Sequence, residues 1–171
     1  MPVQRLNHAV LFVRDLERSA AFYREVLGFR VVMEMPGRAV FLQAEGSCND
    51  HDLGLFTAGV DAAPSGAGRG AVGLYHLAWE VDTLPELRRI ADALATSGTL
   101  VGATDHGTTK AVYAQDPDGI ELEVSWLVPA AALDDATRAA RARNRPLDLD
   151  AEIERYGDLR GGVGVSHSPG G

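Results

Sequence analysis

Cysteine is nearly missing from this chain. Cys48 stands alone among 171 residues, which excludes an internal disulfide and a cysteine-rich zinc site and makes a reducing compartment the expected home. Long apolar runs are missing too. No stretch approaches the ~18–20 residues that span a bilayer, and the opening MPVQRLNHAV lacks the apolar core of a secretion signal. A cytoplasmic protein with no membrane partner is expected. Positive charge is also short: 16 Lys and Arg face 24 Asp and Glu, a formal net charge of −8. An acidic chain without a basic cluster is a poor match for a phosphate backbone, so nucleic acid is not an expected partner. What remains is ordinary for a globular body, with 46% hydrophobic and 23% charged residues. A chain of this length buries roughly 70% of its unfolded surface.

The apolar patterning predicts an α+β protein in which one unit occurs twice. Residues 6–13 (LNHAVLFV) read as a strand. Asp15 stands at an N-cap position before LERSAAFYREVL, where Leu16, Ala20, Tyr23 and Leu27 recur at helical spacing and Gly28 offers the stop. Strand-like runs follow at 29–35, 39–44 and 52–57, separated by Pro36-Gly37 and the polar stretch 45–49. The glycine-rich stretch AGVDAAPSGAGRGAVG then has no apolar period and reads as a linker. The pattern restarts with LYHLAWEV as a strand. Thr83 and Glu86 have the form of a capping box, LPELRRIADALATSG is an amphipathic helix, and strands are expected at 99–103, 110–115 and 120–127. The expected organisation is a βαβββ module over 1–60, a linker over 61–73, and a second module over 74–128. A helical appendage over 129–157, with helices at 129–145 and 148–156, covers a sheet edge or joins a dimer contact. Residues 158–171 form a disordered tail.

A shift of 68 positions lays Leu6 on Leu74, His8 on His76, Val13 on Val81 and Leu16 on Leu84. The apolar matches alone are weak, but a histidine at one offset in two equivalent strands marks an internal repeat. In the last strand, alternation puts Glu121 and Glu123 on one face and Ile120, Leu122 and Val124 on the other. A carboxylate on an inward face costs several kcal/mol unless paired or bound to a cation. Solvent-facing carboxylates remain the other reading of the same alternation. Taken singly, His51 at a loop edge could be merely solvated, His106 in TDHGTTK ordinarily exposed, and Tyr113 a core aromatic.

The stretches HAVLFVRDLERSAAFYREVLGF and DPDGIELEV resemble the vicinal oxygen chelate superfamily, which also takes in glyoxalase and bleomycin-resistance proteins. The resemblance covers about residues 5–127. It implies two tandem βαβββ modules forming an open, cupped β-barrel around a metal, with His8, His76 and Glu123 as ligands. Within the superfamily, NDHDLGLF, GLYHLAWEV and DHGTTKAVYAQDPDG are most similar to extradiol dioxygenases of the catechol 2,3-dioxygenase type. That likeness implies His51 as an acid/base group, Tyr113 as a hydrogen-bond donor to substrate oxygens, and His106 beside it.

The function so implied is metal-dependent extradiol cleavage of a small catechol-like aromatic by O₂, with Fe(II), or alternatively Mn(II), as the cofactor. Two His and one carboxylate leave positions open on such an ion. Phe12, Phe41, Phe56 and Trp79 are candidates to line the substrate pocket, and a homodimer is expected. Enzymes of this type usually carry four modules, whereas this chain has two. The alternatives are another metalloenzyme of the superfamily (an antibiotic thiol transferase, a glyoxalase or an epimerase) or a metal-free drug-binding module. A glyoxalase needs a fourth ligand, a Glu whose place here is about Gly54.

Overall fold

The computed structural model describes residues 2–3, 5–68, 70–141 and 143–162. The first module runs β1 (Ala9–Val13), α1 (Leu16–Glu25), β2 (Arg30–Met35), β3 (Ala39–Gln43) and β4 (Leu53–Thr57). The second runs β5 (Leu77–Glu80), α2 (Leu84–Thr96), β6 (Leu100–Asp105), β7 (Thr109–Gln115) and β8 (Glu121–Leu127). Their sheets are ordered β1-β4-β3-β2 and β5-β8-β7-β6, and in each the first and last strands of the module lie parallel. The expected α+β class and doubled βαβββ order are therefore observed.

Local chemistry accounts for the helices. The Asp15 carboxylate accepts from the Arg18 amide at 3.0 Å, and the Thr83 hydroxyl accepts from the Glu86 amide. Each side chain satisfies one of the amides a helix start leaves open. Each helix covers one face of its own sheet. In the first module Phe22 and Tyr23 are buried with Leu11, Val13, Leu42, Leu53 and Leu55; in the second, Leu84, Leu87, Ile90 and Leu94 are buried with Val112, Leu122, Val124 and Trp126. In β8 the buried residues Leu122, Val124 and Trp126 alternate with Glu121 and Glu123. This is the alternation the sequence predicts.

Both leading strands start later than expected. Ala9 and Leu77 are the first residues of β1 and β5, so His8 and His76 lie just ahead of the strands rather than inside them. A parallel ladder extends only as far as its partner, and Leu53 and Leu122 supply the first pairing residues.

The region after β8 also departs from expectation. In place of one helix over 129–145 there is a 3₁₀ turn at Ala130–Ala132, a short α3 (Asp135–Ala140), a two-residue β9 (Arg145–Pro146) and then α4 (Leu149–Tyr156). Asp134 caps α3 by accepting from the Thr137 amide, and Pro146 cannot continue a helix. β9 pairs antiparallel with β6 and extends the second sheet to five strands. Gly161 and Gly162 donate backbone hydrogen bonds to Asp82 and Leu127. The rest of the expected tail, with His167, lies outside the described residues. No described helix is long and apolar enough to cross a membrane.

The chain divides into two compact units, Met1–Gly66 with Asp116–Ile120, and Ala67–Gln115 with Glu121–Gly171. The turn between β7 and β8 thus belongs to the first unit. Asp116 accepts from the Tyr23 hydroxyl at 3.2 Å, and Asp118 accepts from both the Arg14 amide and its guanidinium at 3.0 Å. Burial pushes the Asp116 carboxyl above its ordinary pKa, against the backbone N–H groups of Ile120 and Asp118 that favour its charge. Burial and then the Asp116 charge hold the Tyr23 hydroxyl well above the ordinary phenol value.

Candidate functional site

In the second module three strands bring one row of residues into line. Ala78 on β5 pairs with Glu123 on β8, and Glu123 pairs with Tyr113 on β7. Side chains of paired residues share a face, so Glu123 and Tyr113 project from the face that α2 does not cover. His76, two residues before Ala78, falls on the same face. Its Nε2 lies 3.2 Å from Glu123 Oε2, and its Nδ1 is buried with no hydrogen-bond partner. The His106 ring reaches the row from the β6–β7 turn, with Nε2 2.8 Å from the Tyr113 hydroxyl and Nδ1 2.8 Å from Asn144 Oδ1. Burial, the Glu123 charge and a hydrogen bond to Glu123, in that order, push the Tyr113 phenol up to about 12.

Four of the residues singled out from sequence are therefore gathered in the second unit: His76, His106, Tyr113 and Glu123. Glu121 shares their face. Trp79 pairs with Val124 and so faces the opposite, helix-covered side, apart from this group. Asn144 is the residue that sequence reasoning missed, and no spacing or motif in the chain marks it.

In the first module the same row is built from other side chains. Val10 pairs with Gly54, and Gly54 pairs with Phe41. Phe12 pairs with Phe56, so Phe12, Phe41 and Phe56 share the face opposite α1. Phe41 packs edge-on against Phe56 at 5.7 Å between centroids and against His51 at 5.0 Å, and His51 lies 4.5 Å from His8. His51 Nδ1 is 2.9 Å from Asp50, and His8 Nδ1 is 2.7 Å from Asn7 Oδ1. Phe12 is 73% exposed.

His76 and Glu123 fit two of the three places in a divalent-metal donor set. An imidazole nitrogen and a carboxylate oxygen converge at hydrogen-bond distance, and both are ligand types for a borderline ion. Among the described residues no group of three or more His, Cys, Asp or Glu side chains is drawn together as a metal site. Placement of His8 as a third ligand thus rests on the repeat and the resemblance.

The family model for the glyoxalase/bleomycin resistance protein/dioxygenase superfamily matches residues 5–124. A catechol-2,3-dioxygenase from Bacillus subtilis is 29% identical over 167 residues, covering 91% of this chain and 53% of its own length. The chain thus spans about half of that dioxygenase. A lactoylglutathione lyase from Haemophilus influenzae is 31% identical over 129 residues, covering 70% of this chain and 90% of its own length. The crystal structure of a glyoxylase/bleomycin resistance protein/dioxygenase domain from Frankia sp. superposes with a TM-score of 0.61 at 20% identity, over 72% of this chain and 92% of that one, a likeness of fold. With the duplicated βαβββ order and a match across both modules, the chain belongs to the glyoxalase/bleomycin resistance protein/dioxygenase superfamily.

Proposed function

We propose that the protein is a metal-dependent extradiol-type dioxygenase that opens a small catechol-like ring with O₂. The observation that carries this reading is the row in the second module. Glu123 lies beside His76 and in register with Tyr113, and Tyr113 is hydrogen-bonded to His106. His76 and Glu123, completed by His8 from the first module, would hold one Fe(II), with Mn(II) as the alternative. When bound, such an ion supplies Lewis acidity toward the two catechol oxygens and the electrons that activate O₂.

The remaining work falls to the chain's own side chains. His51 is the general acid/base group that takes and returns a proton. Tyr113 keeps its proton throughout the physiological range and orients a substrate oxygen by hydrogen bonding. The exposed edges of Phe12, Phe41 and Phe56 offer an apolar surface for an aromatic ring, and Trp79, on the helix-covered side of its own sheet, is left out of that lining. A homodimer is part of the same reading and is checked by sedimentation.

A second reading has a specific support. The chain covers nearly the whole of the lactoylglutathione lyase but half of the catechol dioxygenase, so another metalloenzyme of the superfamily, or a metal-free drug-binding module, is the rival. Against a glyoxalase stands Gly54. It occupies the first-module position equivalent to Glu123 and offers no side-chain ligand.

The deciding experiment purifies the protein without air, loads it with Fe(II) or Mn(II), and follows O₂ uptake with catechol and substituted catechols. Stoichiometric metal with O₂ consumed and a coloured ring-opened product is the expected result. Bound metal with no uptake across the panel transfers the reading to a lyase, isomerase or transferase. No bound metal leaves the binding module.

A further inference from the structure

His106 has two partners, and the second comes from the segment that follows the two modules. Three contacts press that segment onto the β6–β7 turn. Gly107, at φ +77°, has the carbonyl carbon of Ala140 2.7 Å and the amide of Arg141 2.8 Å from where a Cβ would stand, so the end of α3 sits directly on the turn. β9 pairs with the last residues of β6, Thr104 with Pro146 and Asp105 with Arg145. Lys110, the sole lysine of the chain and 1% exposed, places Nζ 2.6 Å from Asp105 and 3.1 Å from Glu152 on α4. A buried ammonium is tolerated only when paired in this way. Asn144, between α3 and β9, is delivered by these contacts to the open side of His106.

The hydrogen-bond chemistry then has a direction. An amide carbonyl oxygen can only accept, so with the Asn144 amide turned to present Oδ1, as it is here at 2.8 Å, the proton belongs on Nδ1. In the neutral ring Nε2 is left with a lone pair, and it accepts from the Tyr113 hydroxyl at 2.8 Å. The phenol has one proton and two acceptors beside it, His106 Nε2 and the Glu123 carboxylate, and this tautomer directs the proton to His106. In the other tautomer Nε2–H would donate to the phenol oxygen, and the phenolic proton would turn to Glu123.

We propose that Asn144 is a positioning residue that fixes the Nδ1–H tautomer of His106, and through it the donor direction of Tyr113, making the C-terminal segment a part of the site. The effect on turnover rests on the ring-cleavage reading above; the tautomer does not.

Two-bond ¹H–¹⁵N spectra of the metal-free full chain near pH 8 read the tautomer directly, with His106 assigned by its loss in His106→Gln. The expected result is Nδ1–H in the wild type, a shift to Nε2–H in Asn144→Ala, and retention of Nδ1–H in Asn144→Asp, which keeps an acceptor. In the Fe(II)-loaded enzyme, Asn144→Ala should lower kcat about tenfold with KM unchanged, the size of one hydrogen bond, and Asn144→Asp should restore most of it. An Nε2–H tautomer in the wild type, or the same tautomer in wild type and Asn144→Ala, overturns the proposal. The expected tautomers in a protein that turns over no catechol would overturn ring cleavage and leave the positioning role standing.

Discussion

Two residues beyond its leading histidine, the first module lines up Val10, Gly54 and Phe41; at the same place the second lines up Ala78, Glu123 and Tyr113. The pairing register is the same and the chemistry is not. In the second module a carboxylate stands on the face away from the helix, where His76 and Tyr113 meet it. In the first, that position has no side chain and its neighbour is a phenylalanine with no hydroxyl. A carboxylate beside Phe41 would lack the partners that make a half-buried charge tolerable. The duplicated scaffold thus supplies two geometrically equivalent rows, of which one is polar and suited to ligation and one is apolar and suited to an aromatic surface. The histidine leading each row is what they share.

The comparison is most exposed to a change at Glu123. Glu123→Ala should abolish bound metal and O₂ uptake together while the fold, followed by circular dichroism, is kept; metal retained at full stoichiometry would show that the polar row is not the ligand row. His51, from the apolar module, should matter to turnover rather than ligation. His51→Ala is expected to keep the metal and lower kcat by about 10²–10⁴-fold, the usual range for an acid/base group, and unchanged turnover would confine the chemistry to the second module.

Tyr23→Phe removes the hydroxyl that donates to Asp116 in the first unit and should cost about 1.5–3 kcal/mol in denaturant melts at pH 7, as for a hydrogen bond to a charged group. The same variant carries a pH signature. Because the folded-state pKa of Tyr23 is raised, its contribution is complete below the unfolded phenol value of ~10 and is lost as pH climbs through the folded value. The wild type should therefore destabilise above pH ~10 more steeply than Tyr23→Phe. The smallest effect belongs to Gly54→Ala. A Cβ there meets Val10 and Phe41 at ordinary contact distances of 3.5–3.6 Å, and φ is not positive. Stability should change by about +0.4–1 kcal/mol with activity kept; lost activity would mean that the bare strand itself serves the site.

Much of this could be read before any coordinates. Period-2 alternation placed Glu121 and Glu123 together, capping chemistry placed Asp15 and Thr83, and the shared offset of His8 and His76 exposed the repeat. Each is a local signal with a short period. The misses are non-local. Asn144 fell inside a stretch read as one helix, because Ala and Arg favour helix while a two-residue edge strand is too short to alternate. Asp116 and Asp118 read as turn formers of the second module, which they are. That they also hold Tyr23 and Arg14 depends on tertiary packing that no window of the chain contains.

The Asp116–Ile120 turn bears on how the protein is made. Its bonds to Tyr23 and Arg14 join residues 93 and 104 positions apart, so the first half of the chain leaves the ribosome before the groups that complete its packing have been synthesised. The first unit gains its full set of contacts only once the turn between β7 and β8 has been made. Closing loops of that length is entropically slow, so the amino-terminal half spends its early life incomplete. For the same reason a fragment ending in the glycine-rich stretch would keep the Tyr23 hydroxyl and the Arg14 guanidinium but not the carboxylates that answer them. The two modules are repeated in sequence, yet the first unit takes five of its residues from the second repeat.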